Sequence, residues 1–129
     1  MAKEFYNPPD VFSPVSIYSH GVRSGRIVTL AGQAPLHNDG TVVGPGDPAA
    51  QCRRVFADLT KTLELAGATF EDVAYVRAYL TDKKVLPELR RIATEILGGN
   101  RPAFTAVIVP SVRAEGALIE IELVVEMDP

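Results

Sequence analysis

The chain has 129 residues, 47% of them hydrophobic, and carries a formal net charge of −3. That length suits one domain over 1–129 with a core that needs no disulfide, and the acidic balance with scattered basic residues argues against bulk attraction to nucleic acid. No apolar run approaches the roughly 20 residues that span a bilayer, and Met1–Phe5 lack the charged-then-apolar layout of a signal peptide. A cytoplasmic protein without a membrane partner is expected, and the lone Cys52 agrees with a reducing compartment.

Residues 1–14 read as an irregular arm, because Pro8, Pro9 and Pro14 disfavour a helix. Val15–His20 and Arg26–Ala31 then read as strands joined around Gly21–Gly25, and Asn38-Asp39-Gly40 is a second turn signal. Asp47-Pro48 opens a helix, with an Asp cap and a proline where a missing amide costs nothing. Cys52, Val55, Phe56, Leu59, Leu63 and Ala66 follow at helical spacing, and Gly67 is placed to stop them. Arg53, Arg54, Asp58, Lys61 and Glu64 fall largely off that stripe and predict a solvated face.

Val73–Leu80, rich in β-branched and aromatic residues, reads as a strand. A second helix is expected over Val85–Leu97, with Pro87 in its first turn and Leu86, Leu89, Ile92, Ala93 and Ile96 as its buried stripe. Gly98-Gly99-Asn100 ends it, and Ala103–Val109 and Leu118–Met127 supply the last strands. Two amphipathic helices and four or more strands predict an α+β fold, a sheet with both helices on one face. The strands carrying Phe104, Ala106 and Ile108, or Val73, Tyr75 and Arg77, are too apolar for the other face to meet only water, so association of subunits is expected.

Few catalytic signatures are present. His20, His37 and Cys52 do not form a metal-ligand spacing, and no metal or cofactor is implied. Cys52 lies on an apolar helix stripe, where cysteine behaves as a small hydrophobe, and His20 reads as a partly buried strand residue. Gly44-Pro45-Gly46 lacks both the amides and the following lysine of a phosphate cradle. No Gly-x-Ser-x-Gly elbow is present, and the absence of tryptophan argues against a base-stacking platform.

The last strand is more informative. Ile119, Ile121, Leu123, Val125 and Met127 alternate with Glu120, Glu122, Val124 and Glu126, which puts two acids on one face about 7 Å apart. If that face is covered, burial forces a pKa shift or a bound partner.

The ordered set Tyr18-Ser19-His20-Gly21, Leu30-Ala31-Gly32-Gln33, Asp47-Pro48 with Gln51, Leu65-Ala66-Gly67, Tyr79-Leu80-Thr81-Asp82, Arg101-Pro102-Ala103 and Ile119-Glu120-Ile121-Glu122 resembles the RidA/YjgF family of enamine/imine deaminases, from about Val15 to the end of the chain. The resemblance implies a chorismate-mutase-like α+β subunit, assembled as a homotrimer with a small-molecule pocket in each cleft between subunits. In deaminating members an arginine at the third position of a Pro-Ala-Arg-Ser motif holds the substrate carboxylate, and the glutamate of the last strand directs water to the imine carbon. A bidentate arginine and a carboxylate near water suit those two tasks.

Carried over residue by residue, the resemblance makes Glu120 the catalytic candidate and Tyr18, Ala31 and Gly32 pocket residues. The arginine is missing: Phe104 stands in its place and makes that wall apolar, and Ala106 replaces a residue that is often cysteine. Arg90 and Arg101 are the candidate replacement cations. Three functions follow: a metal-independent imine hydrolase of altered specificity, a non-catalytic metabolite-binding or regulatory trimer, and a ribonuclease or translation inhibitor, against which the charge argues.

Overall fold

Asp47 caps the first helix, its carboxylate accepting from the amide of Ala50 at 3.1 Å, with Pro48 in the opening turn. Helix α1 (Pro48–Ala66) ends at Gly67, whose φ of 76° is a left-handed conformation that a side chain resists. Its stripe from Cys52 to Ala66 is buried as expected. Helix α2 (Leu86–Leu97) follows a short 3-10 turn and carries Pro87 in its first turn, where no intrahelical donor is lost. The computed structural model describes residues 2–13 and 17–128.

Six strands are described: β1 (Glu4–Tyr6), β2 (Gly21–Ser24), β3 (Ile27–Gln33), β4 (Val73–Leu80), β5 (Ala103–Ile108) and β6 (Ile119–Glu126). They form one mixed sheet in the order β1-β2-β3-β6-β4-β5. Only β4 and β5 are parallel, joined through α2 as a parallel pair requires. The last strand therefore lies inside the sheet, antiparallel to both β3 and β4. Both helices pack on one face over Val28, Leu30, Val76, Ala78, Leu80, Ile119, Ile121 and Leu123, all fully buried. Burying each such Leu or Ile is worth about 1.5–3 kcal/mol, so this helix–sheet layer outweighs helix propensity in holding the fold together. The expected α+β architecture is the one observed.

Several local expectations need correction. The arm expected to be irregular contains β1, whose Phe5 pairs with Val22. The first hairpin is displaced: Gly21–Ser24, expected as the turn, is itself a strand, and the chain reverses at Gly25, whose φ is 64°. Of the strand expected over Val15–His20, Val15 and Ser16 lie outside the described residues, and 17–20 form no strand. Val73 leaves the face of Tyr75 and Arg77, because a bulge at Ala74 turns it into the core.

Phe104 and Ala106 pair with core-facing Val76 and Ala78 and so belong to the helix side of the sheet. Asp58 is not on a solvated face: its side chain is 1% exposed and pairs with Arg54 at 3.2 Å. Position around the helix set that outcome: on the same side, Lys61 pairs with Asp10 at 2.9 Å, and the Asp58 charge acts on buried His20.

Candidate functional site

On β6 the side chains of Ile119, Ile121, Leu123 and Val125 enter the core, leaving Glu120, Glu122 and Val124 half-buried on the helix-free face. The two acids are not equivalent. Tyr79 on neighbouring β4 donates its hydroxyl to Glu122, and Arg77 stands 3.9 Å from the same carboxylate. Glu120 has no hydrogen-bond partner among the described residues. Its free oxygens make it the carboxylate able to act on a ligand or water.

What opens space at Glu120 is an irregularity in β3. Pairing with β6 shifts between Leu30 and Gln33, so Ala31 and Gly32 occupy a bulge. The bulge returns Gln33 to the buried side and sets Gly32 against the Glu120 carboxylate, with no side chain between them. Around this point lie two cavities that share Gly32, Arg113 and Glu120. One, of about 220 Å³, is lined also by Phe12, Tyr18, His20 and Ala31. The other, of about 340 Å³, reaches Tyr79, Ser111 and Glu122.

Arg113 sits on the 111–118 segment, which a buried glutamine fixes. Gln51 on α1 donates to the carbonyls of Gly44 at 3.2 Å and Gly116 at 3.3 Å, and its oxygen accepts from the amide of Leu118 at 2.7 Å. Burial raises the pKa of Glu120 above the ordinary glutamate value, the Arg113 charge pulls it back, and Glu122 pushes it up. The result is a carboxylate whose charge is costly unless something is bound or a proton is held.

His20 also lines the smaller cavity, 4% exposed and edge-on to Tyr18 with ring centroids 6.0 Å apart. Burial lowers its pKa, against the charge of Asp58 and the backbone of Phe12. Cys52 is deep in the core, and burial pushes its thiol up to about 12, so it holds its proton at neutral pH. Among the described residues no group of three His, Cys, Asp or Glu side chains is arranged to hold a metal ion.

The candidates from the sequence fall into two groups. Tyr18, Ala31, Gly32 and Glu120 meet in the cavity described above. Arg90, Arg101, Phe104 and Ala106 meet elsewhere, in a groove of about 430 Å³ between α2 and β5. Arg101 turns back onto the end of α2, donating to the carbonyls of Gly98 at 2.7 Å and Asn100 at 2.9 Å. Within the chain, then, Phe104 and Glu120 lie on opposite faces of the sheet. Sequence reasoning missed Arg113 and gave His20 no place in the site. The available signal for Arg113 was its place in Ser111–Ala117, a segment slightly longer than the RidA/YjgF resemblance implies.

Comparison with known proteins places the fold and the family. Residues 9–127 match the family described as Endoribonuclease L-PSP. The chain belongs to this family, the RidA/YjgF proteins. A RutC family protein of Pyrococcus abyssi is 32% identical over 124 residues, 96% of this chain and 97% of that protein. Among solved structures, a Rid family protein of unknown function from Yersinia pestis, YyfA, superposes with a TM-score of 0.90 at 26% identity, covering 98% of this chain and all of that one. RidA from an Antarctic Psychrobacter gives 0.87 at 26% identity over 96% and 99%. This RidA/YjgF chain thus retains the family fold while presenting Phe104 in β5.

Proposed function

We propose that this protein hydrolyses the C=N bond of a small imine or enamine-derived intermediate, with Glu120 as the acid–base group. The observation that carries the reading is the contrast between the two acids of β6: Glu122 is held by Tyr79 and Arg77, while Glu120 is half-buried, unbonded and raised in pKa beside a cavity. A carboxylate with a raised pKa is suited to proton transfer near neutral pH. With Glu120 ionised, water adds to the imine carbon as Glu120 takes one of its protons and hands it to the nitrogen, giving a neutral carbinolamine. Glu120 then takes the carbinolamine hydroxyl proton and passes it to the nitrogen as the C–N bond breaks and the carbonyl forms. Ammonia and a carbonyl compound leave, and Glu120 returns to its starting state.

The active assembly in this reading is a homotrimer. Phe5 and Ile27 are 62% and 40% exposed on the helix-free face, and Phe104 and Ile108 are 41% and 46% exposed on β5. Apolar exposure of this extent supports coverage by further copies of the chain. Such packing would set the α2–β5 groove of one subunit, with Phe104, Ala106 and Arg90, beside Glu120 of the next, each cleft holding one small molecule. We place the reaction in the cytoplasm, without metal or cofactor.

The test is ammonia release from freshly generated 2-aminoacrylate and from a neutral imine, by wild type and Glu120→Gln. Turnover lost in the variant is expected; equal rates with and without wild-type protein would end the hydrolase reading. The apolar wall at Phe104 favours a second reading, a non-catalytic trimer that binds a metabolite. It predicts ligand affinity that survives Glu120→Gln and falls on Phe104→Ala. Nucleic acid is a poor fit, since the net charge is −3 and the cavity centres on carboxylates.

A further inference from the structure

An anionic substrate faces an electrostatic problem at this site. Glu120 and Glu122 both line the larger cavity, and the family's arginine is absent from β5. Without a local cation, two carboxylates repel a third. Four arginines are near enough to the candidate residues to matter, and the structure separates them.

Arg101 is spent on the end of α2. Arg77 lies over the Tyr75 ring at 5.4 Å, donates to the Tyr75 hydroxyl at 3.2 Å and stands beside Glu122. Arg90 lines the α2–β5 groove on the other side of the sheet. Arg113 alone of the four lines both cavities that meet at Glu120, and it makes no hydrogen bond to protein among the described residues. Its donors are therefore available, while Gln51 pins the segment that carries it at Gly116 and Leu118.

We propose that Arg113 binds the carboxylate of the substrate, replacing from within the subunit the arginine that β5 lacks, so that the protein acts on small imino or enamino acids and not on neutral imines. The proposal rests on the hydrolase reading for the reaction and deepens it by naming the substrate class. A guanidinium offers paired donors to a carboxylate, and a substrate anchored there keeps its C=N carbon close to Glu120. The smaller cavity, about 220 Å³, falls below the roughly 300–1,000 Å³ of sites for drug-sized ligands. A compact acid of a few carbons is the fitting size.

Binding separates this proposal from the reaction. Pyruvate, the hydrolysis product of 2-aminoacrylate, and its uncharged methyl ester are titrated by NMR into wild type, Arg113→Gln, Arg113→Lys and Arg101→Gln. Arg113 is exposed and unbonded, so its variants are expected to keep the wild-type melting curve. Wild type should prefer pyruvate to the ester, and Arg113→Gln should weaken pyruvate binding by about tenfold to a hundredfold, the worth of a charged hydrogen-bonded contact, and erase the preference. Arg113→Lys should retain part of it.

A preference for the acid that survives Arg113→Gln, or that vanishes on Arg101→Gln instead, overturns the proposal. So does equal binding of acid and ester by wild type. If the Arg113-dependent preference is found but no imine is turned over, the anchor stands and the hydrolase reading fails. If Glu120-dependent turnover of 2-aminoacrylate is unchanged by Arg113→Gln, the hydrolase reading stands and the anchor fails.

Discussion

Gly32 lies flush against the carboxylate of Glu120: a methyl group on that glycine would sit 2.9 Å from Glu120 Cδ and 3.1 Å from its Cγ. The glycine is required for space, since its backbone is not in the left-handed region. Gly32→Ala should therefore turn the carboxylate away from the cavity. Because the obstacle is the end of a flexible side chain, the stability loss should stay under about 1 kcal/mol. A reacting group moved by about 1 Å costs on the order of a hundredfold, so kcat/KM for ammonia release should fall at least tenfold. Parallel melting and turnover measurements check both parts.

Glu120 should also lower stability at neutral pH. Burial raises its folded pKa above the ordinary value of 4.5. The folded state then holds the proton more tightly than the unfolded chain, so the contribution is favourable below the unfolded pKa and is lost as pH rises through the folded one. Glu120→Gln is expected to melt higher than wild type at pH 7, with the gap closing towards pH 4. An unchanged gap across that range would contradict the account. Activity bought with stability is a common pattern at functional sites.

Gln51 joins three segments, so its loss should be felt twice. Gln51→Leu strips partners from the carbonyls of Gly44 and Gly116 and the amide of Leu118. Leaving such groups unsatisfied should cost about 2–4 kcal/mol, read from the urea midpoint. Under conditions where the variant is folded, pyruvate binding should weaken as well, because the segment that carries Arg113 is no longer pinned.

His20 predicts a loss of stability in mild acid. Burial holds its folded pKa below the ordinary 6.5, with the nearby Asp58 charge opposing the shift. The unfolded chain therefore takes the proton first, and stability falls as pH drops below about 6.5 towards the folded value. Urea midpoints of wild type and His20→Phe between pH 8 and 5 should diverge, with the variant flatter. Parallel curves would show that the imidazole does not titrate this way.

The helix-free face offers a direct test of assembly. Light scattering should give three copies of the 13.9 kDa chain. Val124 is half-buried at the centre of that face, on the strand that carries Glu120. Val124→Asp should shift the mass towards monomer with an unchanged far-UV spectrum, since burying an unpaired charge against another subunit costs several kcal/mol. A monomeric wild type, or a trimer indifferent to the change, would refute the interface.

Much of the architecture was legible because it depends on local chemistry. Asp47-Pro48 and Gly67 bound α1, and the alternation from Ile119 onward gives β6 one buried and one open face. What failed was decided by insertions and by neighbours. A bulge at Ala74 reversed the face of Val73, the first hairpin closed at Gly25, and packing around α1 buried Asp58. None of these leaves a period in the residue order.

The same division holds for the site. The sequence alone determined that Glu120 shares a strand face with Glu122, and that Phe104 stands where the resemblance implies an arginine. The resemblance already points to Glu120, but only the tertiary structure shows what separates the two acids physically, because Tyr79 and Arg77 come from a different strand and occupy Glu122. It also brought in Arg113 from a loop, held by a glutamine that lies 65 residues from Gly116 in the chain. Spacing along a strand reports which way a side chain points; which partners remain free for it depends on contacts between segments remote in sequence.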